Sequence, residues 1–142
     1  TPHRAQQSMV INGLQALFSP LGHNPAMIRA AVDTVERFQG QERDAMLVTY
    51  AVGDPDTITD EEEFLHSLNR FNVMASRARA KLIVVASHEL VRHLSDDIEV
   101  VRSSRMLKHF AEAHCANRQD IILPWRKPDR TEDSKITSLR WA

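Results

Sequence analysis

The chain of 142 residues contains a single cysteine, Cys115. One cysteine excludes an internal disulfide and is compatible with a reducing compartment. The adjacent His114 does not complete a zinc site, because no second cysteine exists and the histidines lack the spacing of zinc ligands. We therefore expect no metal site built from the residues of this chain.

The sequence also lacks any apolar run of the ~20 residues that a transmembrane helix needs. Its first residues, TPHRAQQ, lack the charged and then apolar order of a targeting signal. We predict no membrane partner and a cytoplasmic location, or a nuclear one in a eukaryote. Because the sequence opens on Thr1 rather than methionine, we expect a fragment of a longer protein.

The chain has no large net charge of either sign. The chain has 18 basic and 19 acidic side chains, for a formal net charge of -1. This balance argues against nucleic-acid binding through bulk charge, although a local basic patch remains possible. The length is that of about one domain with a real core.

Strand-like and helix-like stretches alternate along the chain. Apolar runs predict strands, and residues 45–52 and 81–87 lack strict alternation, which is typical of strands covered on both faces. Residues 53–60 read as a polar loop, after which Thr59 and Glu62 form a capping box that predicts a helix. An α/β domain with a mainly parallel sheet and sites at the carboxyl ends of its strands is therefore expected. The predicted strands are AAVDTV (30–35), AMLVTYAV (45–52) and KLIVVAS (81–87), and the predicted helices occupy 4–18, 59 onward, 68–78, 88–94 and 103–114.

Three stretches carry a family resemblance. TPHRAQ (1–6), VDTVERFQGQERDAMLV (32–48) and NRFNVMASRARAKLIVVAS (69–87) resemble motifs IV, V and VI of superfamily 1 helicases, in that order. The branch that generally translocates 5′ to 3′ is the closer match. The resemblance covers about the first ninety residues, and three ordered motifs are far more specific than one alone.

The resemblance implies an α/β, RecA-like P-loop NTPase fold, specifically the second of two motor domains. We assign residues 1–119 to this domain and 120–142 to an extension, which reads as a short strand or extended piece followed by a poorly ordered or partner-dependent tail. In such motors ATP binds between the two RecA-like domains and single-stranded DNA or RNA crosses both. The N-terminal RecA-like domain, a partner within the parent chain, carries the phosphate-binding loop and the Mg²⁺-binding acids. This sequence has no G-x-x-x-x-G-K-[ST], so the chain alone is expected to be inactive.

Motif VI supplies the predicted catalytic residue. Arg77, the first arginine of SRAR, matches the arginine finger of the family, a cation that stabilises charge on the transferred phosphoryl group. Without the motif, a solvated helix arginine would be the default interpretation. Arg79 is either a phosphate contact or half of a structural ion pair, and Ser76 keeps the hydroxyl that the family places near nucleic acid.

Motif V supplies nucleotide and nucleic-acid contacts by the same resemblance. Gln39 and Gly40 would form a turn that senses the nucleotide state, with glycine permitting the tight turn. Glu42 would reach the nucleotide ribose, with a salt bridge to Arg43 or another cation as the alternative. Thr34 would hold a nucleic-acid phosphate, with an ordinary strand residue as the alternative.

Motif IV adds Arg4 and Gln6, which open a helix whose amino-terminal amides favour an anion. The resemblance places both near the nucleotide and Thr1 near nucleic acid. His3 occupies a position where the family often has tyrosine.

A second hypothesis for the function of the chain is a degenerate RecA-like domain that only binds a protein or nucleic acid. A third, a motor linked to a nuclease, lacks carboxylates at a persuasive spacing.

Overall fold

The computed structural model describes residues 3–35, 37, 40, 42–126 and 132–142. The chain forms two compact units, Thr1–Ser104 and Arg105–Ala142. The predicted boundary between residues 119 and 120 falls inside a strand of the second unit.

The described residues form seven α-helices and four strands. The helices are α1 (Arg4–Phe18), α2 (Pro25–Ala30), α3 (Pro55–Asp60), α4 (Glu62–Leu65), α5 (Leu68–Ala75), α6 (His88–Arg92) and α7 (Ile98–His109). The strands are β1 (Arg43–Thr49), β2 (Ala78–Val85), β3 (Asn117–Arg126) and β4 (Glu132–Trp141). The α/β class predicted from the sequence is therefore confirmed, with short sheets.

Strands β1 and β2 form a parallel pair in the first unit, with Leu47 beside Ile83 and Val48 beside Val84. Both strands were predicted, since their apolar runs favour extended structure. Side chains along one face of the pair pack into a core with the helices, because alternate strand residues point to opposite faces. The buried apolar residues of this unit are Val35, Val48, Tyr50, Val52, Ile58, Leu65, Phe71, Met74, Leu90 and Val100.

The other face of the β1–β2 pair is open. Leu47, Ile83 and Val85 are 63%, 44% and 51% exposed. The prediction of strands covered on both faces is therefore wrong for the described part of the chain. Apolar and polar residues do not alternate along β1 and β2 because apolar residues lie on both faces of the pair. Helices cover only one of these faces in the described residues.

The predicted strand at residues 30–35 is also wrong. Helix α2 ends at Ala30, and the residues that follow it up to Val35 belong to no sheet. Side chains take its hydrogen bonds instead: Gln7 Nε2 donates to the Val32 carbonyl at 2.9 Å, and Asp33 Oδ1 accepts the Thr34 N–H at 2.9 Å. Because these bonds replace a ladder, the β-branched residues do not form a strand.

The polar loop predicted at residues 53–60 is largely helix α3. Asp54 caps it by accepting from the Thr57 N–H at 2.9 Å and the Thr57 hydroxyl at 2.8 Å, bonds that lower the pKa of Asp54. Thr59, the predicted cap, lies inside α3, where its hydroxyl donates to the Pro55 carbonyl. An Asp cap followed by proline is the stronger start signal, because proline lacks the N–H that would be unsatisfied there.

The second unit contains a long antiparallel hairpin. Strand β3 pairs with β4 from Asn117 opposite Trp141 to Arg126 opposite Glu132. The extended piece predicted from residue 120 is confirmed, whereas the poorly ordered tail is wrong for residues 132–141, which form β4. The two strands pair along their whole length, a non-local contact that local sequence signals predict poorly.

A half-buried polar cluster joins α4 to the chain that follows α6. Glu62 Oε1 accepts from the Ser95 hydroxyl at 2.7 Å, and Glu62 Oε2 lies 2.6 Å from His93 Nε2. The ring of His93 stacks on buried His66, with 5.7 Å between ring centroids. The bonds from His93 and then Ser95 hold the pKa of Glu62 below its ordinary value.

We predict that Glu62→Gln destabilises the chain in a pH-dependent way. Since folding lowers the pKa of Glu62, the carboxylate stabilises the fold above its unfolded pKa, near 4.5, and loses this effect as the pH falls through its folded pKa. Loss of charge-assisted bonds should lower the free energy of unfolding by about 1–2 kcal/mol at pH 7. Urea unfolding at pH 7 and below pH 4 measures this difference. Exposed Glu63→Gln is the matched control, and equal losses for both variants would contradict the prediction.

Candidate functional site

A two-residue turn, Ser76–Arg77, joins α5 to β2. Helix α5 is fixed against the core by Phe71 and Met74, which are buried. The Arg77 carbonyl accepts the Arg43 N–H at 3.0 Å, and the Arg77 N–H contacts the Met74 carbonyl at 3.4 Å. The turn is therefore held by a helix on one side and by the start of β1 on the other.

The side chain of Arg77 is partly buried, and its Nε atom is inaccessible to solvent. Within the described part of the chain, this Nε has no hydrogen-bond partner. Buried donors are nearly always satisfied, so this Nε is an exception among the described residues. Because Arg77 is only partly buried, the accessible part of its cationic guanidinium could donate to an anion such as a phosphate.

Glu42 and Arg79 form an ion pair. Arg79 Nε donates to Glu42 Oε2 at 3.0 Å, and the two side chains are 51% and 63% exposed. The ion pair considered for each residue in the sequence is therefore present, and it joins them to each other rather than Glu42 to Arg43. The Arg43 guanidinium donates instead to the Glu42 carbonyl at 2.9 Å.

Gly40 adopts a left-handed backbone, with φ at 85°. Residues with a Cβ are strained there, so glycine is required by the conformation. This agrees with the tight turn predicted for Gly40. Gln39 and Thr1, two other predicted site residues, lie outside the described residues.

Two glutamines of α1 contact the carboxyl end of β1 and the segment around Asp33. Gln6 Nε2 donates to the hydroxyl of Thr49, the last residue of β1, at 3.1 Å. Gln7 contacts the backbone and side chain around Asp33, next to Thr34, which is buried. Within the described residues, the buried Oε1 atom of Gln6 has no hydrogen-bond partner.

The two groups are well separated. Strand β1 has seven residues, so its ends are about 20 Å apart at about 3.3 Å per residue. Gln6 and Thr34 lie near the carboxyl end, whereas Glu42, Arg77 and Arg79 lie at the amino ends of β1 and β2. Sites were expected at the carboxyl ends of strands, whereas the Arg77 group lies at the amino ends of β1 and β2. The reason is local: the turn that carries Arg77 precedes β2.

Arg4 and His3 lie at the start of α1. Arg4 is exposed, and its carbonyl accepts from the Ser8 hydroxyl at 3.4 Å. His3 stacks on Phe64, with 5.4 Å between ring centroids, and its Nε2 lies 3.1 Å from Glu61 Oε2. The ring of His3 therefore contacts Phe64 within the protein.

The sequence did not predict the groove beside Phe64. The Arg70 guanidinium lies over the Phe64 ring, 3.8 Å from its centroid, in a cation–π contact. The open groove has a volume of about 690 Å³. Its lining residues are His3, Thr59, Asp60, Glu61, Glu62, Glu63, Phe64, Ser67 and Arg70. The sequence feature that could have indicated this groove is Phe64, an aromatic residue that ends an acidic run and lies six positions before Arg70.

The described residues contain neither a cluster of metal ligands nor a membrane-spanning helix. No cluster of three or more His, Cys, Asp or Glu side chains is placed there to hold a metal ion. None of the helices in the described ranges has the length and apolar character needed to cross a membrane.

Comparison with known proteins identifies a family. A sequence profile described as "AAA domain" matches residues 1–89. The probable helicase senataxin of Mus musculus is 33% identical over 85 residues, which are 60% of this chain and 3% of that protein. An uncharacterized ATP-dependent helicase of Methanocaldococcus jannaschii is 34% identical over 92 residues, which are 65% of this chain and 12% of that protein. No solved structure matched.

The chain thus spans only a small part of these relatives. The residues matched by the profile include the three stretches 1–6, 32–48 and 69–87 and the whole of β1. Because the family profile covers more than half of the sequence, this chain belongs to the AAA domain family.

Proposed function

We propose that this chain is the C-terminal, RecA-like motor domain of an ATP-dependent helicase of superfamily 1, in its 5′-to-3′ branch. The three ordered motifs and the helicase names of the relatives support this proposal. The substrate class is single-stranded DNA or RNA. The observation that carries the proposal is the position of Arg77 in a turn that is fixed between α5 and the start of β1.

Arg77 is the arginine finger in this proposal. Its backbone is fixed by Arg43 and Met74, so the guanidinium starts from a rigid turn rather than a flexible loop. A cation held in place costs little reorganisation when negative charge develops on the transferred phosphoryl group. The fixed turn therefore suits Arg77 to stabilise a transition state in a cleft with another domain.

The other nucleotide contacts are assigned around the same turn. Gln39, Gly40, Glu42 and Arg79 would lie near the nucleotide, with Gly40 and the Glu42–Arg79 pair next to the start of β1. Because Gln6 is bonded at the far end of β1, we place the phosphates at the Arg77 end. Contacts from Gln6 and Arg4 would then be to a more distant part of the bound ligand.

Thr1, Thr34 and Ser76 would contribute to the nucleic-acid track. Ser76 is exposed, and its hydroxyl donates to the Val73 carbonyl at 3.3 Å, a weak bond that leaves it available to a phosphate. Hydroxyl and backbone groups position phosphates without reading sequence. Such contacts suit a motor that moves along many sequences.

ATP and Mg²⁺ would be held mainly by the N-terminal RecA-like domain of the parent chain. Mg²⁺ would bridge and neutralise phosphate oxygens. The part played by this chain is to bring Arg77 into the cleft when the two domains close, and to withdraw it when they open. Without the other domain, the chain has no phosphate-binding loop and is inactive.

The parent protein should hydrolyse ATP, and single-stranded nucleic acid should stimulate the hydrolysis. Steady-state ATP turnover of the full-length protein, with and without single-stranded DNA or RNA, measures this. A variant of the lysine in the upstream phosphate-binding loop is the control for contaminating activity. Tight binding of nucleic acid with no ATP turnover would contradict the motor and favour a degenerate binding domain.

A further inference from the structure

We propose that Glu42 is a positioning residue, which holds Arg79 beside the finger turn so that the terminal amino groups of Arg79 reach the phosphates. This inference rests on the proposed function. It differs from the role that the helicase resemblance implies for Glu42, a direct contact with the ribose. Glu42 in this proposal acts through Arg79 and does not touch the nucleotide.

The contact between the two side chains is lateral. Only Nε of Arg79 is bonded to Glu42, at 3.0 Å. A guanidinium has five N–H donors, of which four belong to its two terminal amino groups. Within the described part of the chain, those terminal groups have no hydrogen-bond partner. The pair therefore fixes the plane of the guanidinium and leaves its outer edge for an anion.

The backbone connects this pair to the finger. Arg43, the residue after Glu42, donates its N–H to the Arg77 carbonyl at 3.0 Å and pairs with Ala78 in the sheet. Residues 42–43 thus hold both sides of Ala78: the backbone of Arg77 before it and the side chain of Arg79 after it. A shift of Arg79 would be transmitted over a short, rigid path to Arg77.

Charge gives the pair a second effect. Arg77 and Arg79 are two positions apart and repel each other, and Glu42 neutralises the charge of Arg79 locally. Because both members of the pair are more than half exposed, the pair adds little to fold stability. Stability therefore does not account for its role, and variants of either residue should fold normally.

A double-mutant cycle in the full-length helicase tests the coupling. With single-stranded nucleic acid present, we expect Glu42→Gln and Arg79→Gln each to lower kcat for ATP hydrolysis about tenfold, with KM within about twofold. The double variant should be no slower than the slower single variant. Independent, multiplying losses would overturn the proposal, because residues that act through one another are not additive.

Nucleotides that lack a ribose hydroxyl separate the two roles of Glu42. We expect the loss in kcat/KM on changing from ATP to 2′-deoxy-ATP or 3′-deoxy-ATP to be the same in the unmodified protein and in Glu42→Gln. If Glu42 contacts the ribose, the variant should no longer distinguish one of these nucleotides from ATP. That result would overturn the positioning role.

Two controls separate this inference from the proposed function. Glu99→Gln with Arg102→Gln breaks another exposed ion pair and should change neither kcat nor the coupling. Arg77→Ala is measured in the same series. Unchanged turnover in Arg77→Ala would overturn the proposed function itself, whereas a large loss there with additive Glu42 and Arg79 effects would overturn only the positioning role.

Discussion

Replacing Arg77 with alanine in the full-length parent should lower ATP turnover by about 10³- to 10⁵-fold, the range measured for arginine fingers. The guanidinium would act on charge that develops mainly in the transition state, so its loss should appear in kcat more than in nucleotide binding. The backbone of the turn is held by the bond from the Arg43 N–H to the Arg77 carbonyl, so the guanidinium starts from a fixed position.

Two further variants serve as comparisons for Arg77→Ala. Arg77→Lys should restore only a small part of the turnover, since an ammonium lacks the planar fork that matches phosphate oxygens. Arg102→Ala removes an exposed arginine whose partner is Glu99, one helical turn away, and should leave turnover unchanged. Single-turnover hydrolysis and equilibrium binding of ATP, measured separately, distinguish a chemical defect from a binding defect. Equal losses in both would contradict the finger assignment.

The parts of the fold that the sequence predicted are those in which local signals agree. Strand β2 follows α5 closely, and the apolar run KLIVVAS has no competing helical period, so its type was clear. Helix α5 begins where Ser67 accepts the Arg70 N–H, and it buries Phe71 and Met74 one turn apart. The position of Arg77 between them followed from these two elements and the SRAR motif.

The errors arose where side chains replace backbone partners. Around residue 33, bonds from Gln7 and Asp33 satisfy the backbone groups that a strand would pair, and nothing local indicates that Gln7 lies near. At α3, two start signals competed, and the Asp54 cap with its proline is the one that the structure uses. Propensity alone does not decide between such alternatives.

The sequence predicted residues of the candidate site but not which of them lie together in the structure. The partner of Arg79 is 37 residues away, and the partner of Gln6 is 43 residues away. Such contacts depend on the register of the sheet and the direction of α1, which single-sequence patterns do not encode. As a result, the sequence placed Gln6 and Arg77 at one nucleotide, whereas the structure separates their contacts by the length of β1.

The isolated chain of residues 1–142 should hydrolyse no ATP above background and unwind no duplex. Phosphoryl transfer needs groups that hold the phosphates and the metal ion before a finger has anything to stabilise. A phosphate-binding loop uses a glycine-rich turn and a lysine, and none of the four glycines here, Gly13, Gly22, Gly40 and Gly53, is followed by lysine. Only the finger half of a composite site would be present.

Because a trace of a contaminating ATPase would also release phosphate, the measurement needs its own control. The purified chain and its Arg77→Ala variant are compared for phosphate release, after cooperative thermal unfolding has shown that both are folded. Residual activity that is equal in the two samples comes from a contaminant and agrees with the prediction. Activity that disappears in Arg77→Ala belongs to the chain and would show that it forms a complete catalytic site, because only then could loss of the finger residue abolish turnover.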